Sequence, residues 1–323
     1  MYDWITASYD ISDIPHQRLV SKIYQLSEVK NMLTGTIWSN GYLINHNTGR
    51  KMGMNICEKR IKIEICPNKF ILGNNVEEAP INTVFNTLYD LSHTLELNLG
   101  DFKLEKLDVT HTALTDFIPE MYYPYLCNNM GFTRWYHNTS LYYDANSYKI
   151  KKVFYDKVKE VDDKWKKRKS WGGKQKIPDN LKGQNLTRFE CRLGSNSEIK
   201  KVIGHQAVLG QLFTPEHIDQ LQSWWLNQYE AIPKTTELNW KFEENMGQKA
   251  VDETIYHLAL MELGKLKCEE LIELADRQGA YNHPSQKTRS KRKLLGAFNR
   301  NGKKHNLINE LDDKYRSVEP KWD

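Results

Sequence analysis

Three short runs in this chain each set an acid between two apolar residues in a strand-forming context: Ile63-Glu64-Ile65, Leu107-Asp108-Val109 and Phe189-Glu190-Cys191. Acids are depleted in strands, and successive side chains of a strand point to opposite faces of its sheet. Each run therefore asks for a sheet with one apolar face to bury and one polar face to present. Two readings are open at this point. The acids are solvated on the open face of an antiparallel sheet, or they converge into an all-oxygen site for a divalent ion such as Mg²⁺ or Mn²⁺.

The surrounding pattern is that of an α+β chain. Tyr2 to Tyr9, Leu104 to Thr110 and Leu186 to Leu193 read as strands, and Met52 to Cys57 pairs with Arg60 to Cys66. Thr34 to Asn45 reads as a hairpin turning at Asn40-Gly41, the strongest short hairpin signal. Pro67 closes one strand, and Pro80 opens a helix with apolar residues at Ile81, Val84, Phe85, Leu88, Leu91 and Leu95. Thr214-Pro215 starts another, carrying Ile218, Leu221, Trp225 and Tyr229. The expected architecture is an antiparallel sheet with helices mainly on one face, spanning 1–232. A C-terminal all-helical domain over 240–323 follows, beyond a linker at Ile232 to Thr236.

One tyrosine stands where a strand pattern hands over to a basic helix pattern, in Lys151-Lys152-Val153-Phe154-Tyr155-Asp156-Lys157. A phenol that attacks phosphate must be held rigidly and have cations near its developing anion, which Lys157 and its neighbours can supply. Between Lys149 and Lys176 there are 12 Lys or Arg against 4 Asp or Glu, with Trp165 and Trp171 interleaved. Cations with aromatic spacers suit single-stranded DNA, by phosphate neutralisation and base stacking. Tyr142, Tyr143 and Tyr148 are rival nucleophiles. Toward the C-terminus no acid occurs between Asp276 and Glu310, while Lys287, Arg289, Lys291, Arg292 and Lys293 recur. Three helical patterns there (about 251–263, 268–277 and 285–298) resemble a helix-turn-helix domain.

Several classes fall away. No apolar run approaches the ~18 residues that span a bilayer, and no basic stretch followed by an apolar core opens the chain. Five scattered cysteines without a C-x-x-C suit a reducing cytosol and argue against structural zinc. No Gly-x-x-x-x-Gly-Lys-Ser/Thr loop is present, so no ATP-driven helicase activity is expected of this chain.

In chain order, Arg60 to Lys69, Lys106 to Thr110, Val153 to Lys157 and Thr187 to Leu193 resemble four segments of the staphylococcal-plasmid rolling-circle replication initiators. The likeness to the filamentous-phage gene II type of replication initiator is closer. It takes in Cys66-Pro67-Asn68-Lys69 with Gly73-Asn74-Asn75, Arg188-Phe189-Glu190 followed by Lys200-Lys201, and the opening Met1-Tyr2-Asp3-Trp4. It covers roughly residues 1 to 230.

The resemblance implies a palm-like sheet of the HUH or relaxase kind and a metal-dependent endonuclease that nicks and rejoins an origin strand through a tyrosine-5′-phosphate. It implies Tyr155 as nucleophile assisted by Lys157, and Glu64, Asp108 and Glu190 as ligands of Mg²⁺ or Mn²⁺. DNA contacts are expected from Lys149, Lys151, Lys152, Lys166, Lys167, Arg168, Arg289 and Arg292. Origin DNA, single-stranded and duplex, is the expected partner, with a host helicase beside it and no membrane, in the cytoplasm of a bacterial host. The chain departs from the superfamily in one respect: none of its ten histidines forms the His-hydrophobe-His metal motif, so the site would be carboxylate-based, with His111 as an additional candidate ligand. The rival readings are a non-catalytic origin-binding regulator of the same fold, and a relaxase or transposase using the same chemistry.

Overall fold

In the computed structural model, described over residues 1–11, 24–30, 37–57, 59–145, 149–166, 177–204, 207–234, 268–298 and 306–322, the apolar alternation of the strands becomes one sheet. Its elements in chain order are β1 (Tyr2–Asp10), β2 (Tyr24–Lys30), β3 (Ile37–Asn45), β4 (Arg50–Cys57), β5 (Arg60–Ile65), α1 (Pro67–Leu72) and α2 (Ile81–Leu95). Next come β6 (Lys103–Thr115), β7 (Phe132–His137), β8 (Ser140–Ala145), β9 (Ile150–Asp156), α3 (Lys157–Lys166) and β10 (Asn185–Leu193). The helices α4 (Asn196–Ile203), α5 (Pro215–Glu230), α6 (268–277), α7 (Pro284–Phe298) and α8 (Asn306–Arg316) complete the described residues. The ten strands run in the order β2-β3-β4-β5-β1-β6-β10-β9-β8-β7, each pair antiparallel. The antiparallel α+β class expected from the pattern is the one observed.

Ile5, Ala7, Ile63, Ile65, Leu107, Val109, Phe189 and Cys191 are buried in the main core with Val84 and Leu88 of α2, Ile199 of α4 and Ile218, Leu221, Trp225 and Tyr229 of α5. Removing that much apolar surface from water is the principal term holding the sheet and helices together. The intervening residues of the central strands carry the acids and arginines on the other face.

Two sequence expectations fail here. Asn40-Gly41 does not turn: Asn40 pairs with Asn55 and Gly41 with Met54, inside a continuous β3. The turn falls at His46 to Gly49, where Gly49 takes the left-handed backbone (φ +66°) that glycine tolerates best. Ladder pairing with β4 outweighs the local turn preference.

The second concerns the C-terminus. Ile308, Leu311 and Tyr315 of α8 lie in the main core, not in a separate domain. Tyr315 packs edge-on against Tyr229 at 4.9 Å and Trp225 at 5.4 Å between ring centroids. Tyr229 Oη donates to Asp312 Oδ1 at 2.7 Å. The expected 240–323 domain therefore loses its last segment to the 1–232 unit. Among the described residues, Cys268 and Ile272 of α6 and Leu294 of α7 form a small cluster of their own; the predicted helix over 251–263 lies outside the described residues. Tyr315→Ala is expected to destabilise the fold by about 3–5 kcal/mol, the usual cost of emptying a buried aromatic site, read as a fall in the urea midpoint. A midpoint like that of the unmodified chain would mean α8 is dispensable.

Candidate active site

Cross-strand register decides which polar residues meet. Arg192 faces Asp108, Glu190 faces Thr110, Arg188 faces Thr112, and on the other side Arg188 faces Tyr155. Directly paired residues share a face and lie about 4.5–5.5 Å apart. Tyr155, Arg188, Glu190, Arg192 and Asp108 are thus neighbours on the face opposite the main core. A bulge adds one more. Tyr2 pairs with Val109 and Trp4 with Asp108, which leaves Asp3 as the extra residue. Such a bulge re-aims a side chain, and Asp3 turns to the same polar face.

The contacts are specific. Tyr155 Oη donates to Glu190 Oε2 at 3.2 Å. The fully buried Arg188 donates from Nε to Thr112 Oγ1 at 2.7 Å and from Nη1 to Asp3 Oδ1 at 3.3 Å, and Nη2 donates to the Asn75 carbonyl. Asn75 Nδ2 in turn donates to Asp3 Oδ1 at 2.6 Å. Arg192 grips Asp108 with Nε and Nη2 at 2.7 and 2.6 Å, and Nη2 reaches Glu190 Oε1 at 3.4 Å. Its side chain is 44% exposed, so it forms the open end of the cluster.

Beside Tyr155 the same face carries a second, smaller apolar cluster. Val158 and Val161 of α3 pack with Val76 and with Leu186 of β10. Asp156 caps α3, its Oδ1 accepting from the backbone N–H groups of Val158 and Lys159 at 2.9 and 3.0 Å. That cap sets Lys157 directly beside the tyrosine. Its ammonium is buried, 5.7 Å from the centre of the Tyr155 ring, and donates to Glu160 Oε2 at 2.8 Å.

Burial sets the electrostatics. It pushes the Glu190 carboxyl up, and Asp108 and Asp3 push it further, against the pull of Arg192 and Arg188; the result is about 7. The Tyr155 phenol is raised well above its ordinary value by burial and then by Glu190, with Arg188 pulling the other way. Burial, then Arg188, lowers the Lys157 ammonium to about 8. For Asp3, burial acts upward, but Arg188, Lys157 and Lys69 together outweigh it and hold the carboxyl below the usual range. For Asp108 burial prevails over Arg192, and the carboxyl is raised.

The three acids expected to share a metal ion do share this face, but not one site. Glu64 pairs with Thr6, Thr6 with Lys106, and Glu190 with Thr110. With strands about 4.8 Å apart and residues about 3.4 Å along them, Glu64 stands roughly 20 Å from Glu190, too far for one ion. It pairs instead with Lys62 at 3.1 Å. Among the described residues no group of three His, Cys, Asp or Glu is placed to hold a metal, and the Asp108, Glu190 and Asp3 carboxylates already meet arginines. The metal-ligand set read from the sequence therefore does not fit this arrangement. His111 is not an additional ligand: it pairs with Phe189 on the core side, and its Nδ1 lies 3.1 Å from Glu78 Oε1.

Of the expected DNA contacts, Lys149, Arg289 and Arg292 are exposed and Lys151 is half-buried on the polar face. Lys152 is not available. It is fully buried on the opposite side, where Nζ donates to the Gln228 carbonyl at 3.0 Å, as period-2 alternation requires of a neighbour of Lys151. Lys167 and Arg168 lie outside the described residues, as does Tyr148; Lys166 ends α3. Tyr143 is no rival nucleophile, being fully buried with Oη donating to the carbonyls of Leu126 and Cys127 at 3.0 and 2.9 Å.

Sequence reasoning gave no role to Asp3, Arg188 or Arg192. For the arginines the signal was present: Arg188, Glu190 and Arg192 alternate along one strand between apolar residues and so must share a face. For Asp3 it was absent, because only register reveals the bulge. Comparison with known families finds no family model that matches this chain, and no curated protein matches it.

Proposed function

We propose that this chain cuts and rejoins one strand of DNA through a covalent Tyr155 intermediate, as an initiator of rolling-circle replication. The observation that carries the reading is the hydrogen bond from the Tyr155 hydroxyl to Glu190, a carboxyl tuned to about 7, with Arg188 alongside the phenol. A general base works best when its pKa lies near the operating pH. In the forward step the Tyr155 oxygen bonds to phosphorus and its proton passes to Glu190. The bond from phosphorus to the 3′ oxygen breaks and the departing oxygen takes a proton from solvent water, leaving a free 3′-OH and a 5′-phosphotyrosine. Rejoining is the reverse, with a 3′-OH attacking the phosphotyrosine and the phenol regaining its proton. Arg192, at the open end of the cluster, is placed to meet the incoming phosphate, and Arg188 and Lys157 stand where charge develops.

The test is incubation of the chain with labelled single-stranded origin DNA, with Mn²⁺ and separately with EDTA, followed by a denaturing gel. A labelled band that migrates with the protein is the expected product. Its absence under both conditions would leave the non-catalytic regulator.

Duplex docking is assigned to α6 and α7. Lys287 and Lys291 are partly neutralised by Glu273 and Asp276 of α6, at 2.5 to 2.8 Å. Arg289 and Arg292 remain exposed. Replacing both with alanine is expected to weaken duplex binding and to lower the salt slope by about 2, one counterion for each lost phosphate contact. An unchanged slope in a filter-binding titration would remove α7 from the interface.

A further inference from the structure

The edge of the sheet beyond Tyr155 carries an aromatic pair that the core does not use. Trp135 of β7 and Tyr142 of β8 face each other across the hairpin. Their rings stack with centroids 4.2 Å apart and planes within 12°. Phe132 and Ile150, which alternate to the other face of β7 and β9, pack against the main core, whereas among the described residues Trp135 and Tyr142 belong to no core cluster and are half-buried. Lys151 sits over both rings, its ammonium 4.7 Å from the Tyr142 centroid and 5.3 Å from that of Trp135. Asp144 fixes the arrangement, accepting from Trp135 Nε1 at 2.7 Å and lying 3.2 Å from Lys151 Nζ.

Register ties this ladder to the reacting centre. Tyr142 pairs with Val153 and Ser140 with Tyr155. The rings therefore occupy the row two residues before the nucleophile, on the same face and about 7 Å away along the strand. Each ring has one face taken by its partner, and the outer face of such a pair, beside an ammonium, suits an unpaired base and its neighbouring phosphate. A duplex, with its bases already stacked on one another, gains nothing from the rings.

We propose that Trp135, Tyr142 and Lys151 form a base-stacking platform for the single strand whose phosphate reaches Tyr155. This rests on the nicking reading for the identity of the strand. A half-buried cross-strand aromatic pair also stabilises a hairpin, so the test must separate binding from folding.

Binding is measured with fluorescein-labelled (dT)12 in full-length Tyr155→Phe protein, which cannot cleave. Adding Trp135→Ala should weaken affinity about tenfold, equivalent to ~1.4 kcal/mol, while Trp135→Phe should keep most of it. A (dT)12 carrying one 5-iodouracil, irradiated with protein that keeps the β7–β8 hairpin unmutated, should cross-link to the peptide over 132–145. Affinity within twofold in Trp135→Ala, together with no cross-link in that peptide, overturns the platform. A protein–DNA adduct formed by the unmutated chain without the cross-link overturns the platform alone. The cross-link without an adduct overturns the nicking reading and leaves the platform as a single-strand binding surface.

Discussion

Tyr155→Phe is expected to abolish the covalent protein–DNA product, on the order of 10⁴-fold or more, while leaving DNA affinity within about twofold. The substitution removes only the oxygen that would bond to phosphorus. The ring keeps its place beside α3, and Arg188, Arg192 and Lys157 keep theirs. The structural cost is the single hydrogen bond to Glu190 at 3.2 Å, about 1 kcal/mol. Tyr143→Phe is the matched control. It too removes a buried hydroxyl, but one bonded to two backbone carbonyls on the opposite face, so the covalent product should persist in a somewhat less stable protein. A product that survives Tyr155→Phe and vanishes in Tyr143→Phe or Tyr148→Phe would move the nucleophile elsewhere.

What could be read before the structure, and what could not, follows from the range of the interactions involved. Strand alternation is local, and it placed Glu64, Asp108 and Glu190 on a common polar face correctly. Distance along that face is not local. It depends on strand order and register, and the order β5-β1-β6-β10 puts Glu64 three strands from Glu190. The same limit hid Asp3, whose orientation comes from a one-residue slip between β1 and β6. It hid α8 as well, since nothing in Leu307, Ile308, Leu311 and Tyr315 says that they join the main core, with Tyr315 against Trp225 and Tyr229. Lys152 is different. Two adjacent lysines in a strand cannot both face the same DNA, so its burial was available from alternation alone. Asn40-Gly41 shows the converse, a strong local preference overruled by pairing on both sides of β3.

Glu190→Gln should separate chemistry from stability more sharply than any other change. Glutamine keeps an oxygen for the Tyr155 hydroxyl but cannot take its proton, so the rate of strand cleavage should fall about 10²–10⁴-fold, the usual contribution of a general base. In the unmodified chain the rate should rise with pH through about 7 as Glu190 ionises, and fall above about 8 as Lys157 loses its charge beside the developing anion. The two limbs belong to the coupled cluster rather than to either residue alone. In Glu190→Gln the acid limb should disappear. Stability should move the opposite way. A carboxyl whose folded-state pKa lies above its unfolded value of 4.5 binds its proton more tightly in the native state, so its contribution to stability declines as pH rises from about 4.5 to about 7 and stays low above that. Glutamine carries no such charge to bury. At pH 8 the variant should therefore unfold at a higher urea concentration than the unmodified chain, and at pH 4 the gap should close. An inactive variant that is also less stable at pH 8 would mean Glu190 holds the sheet face together as a structural anion, and the base would have to be sought elsewhere on that face.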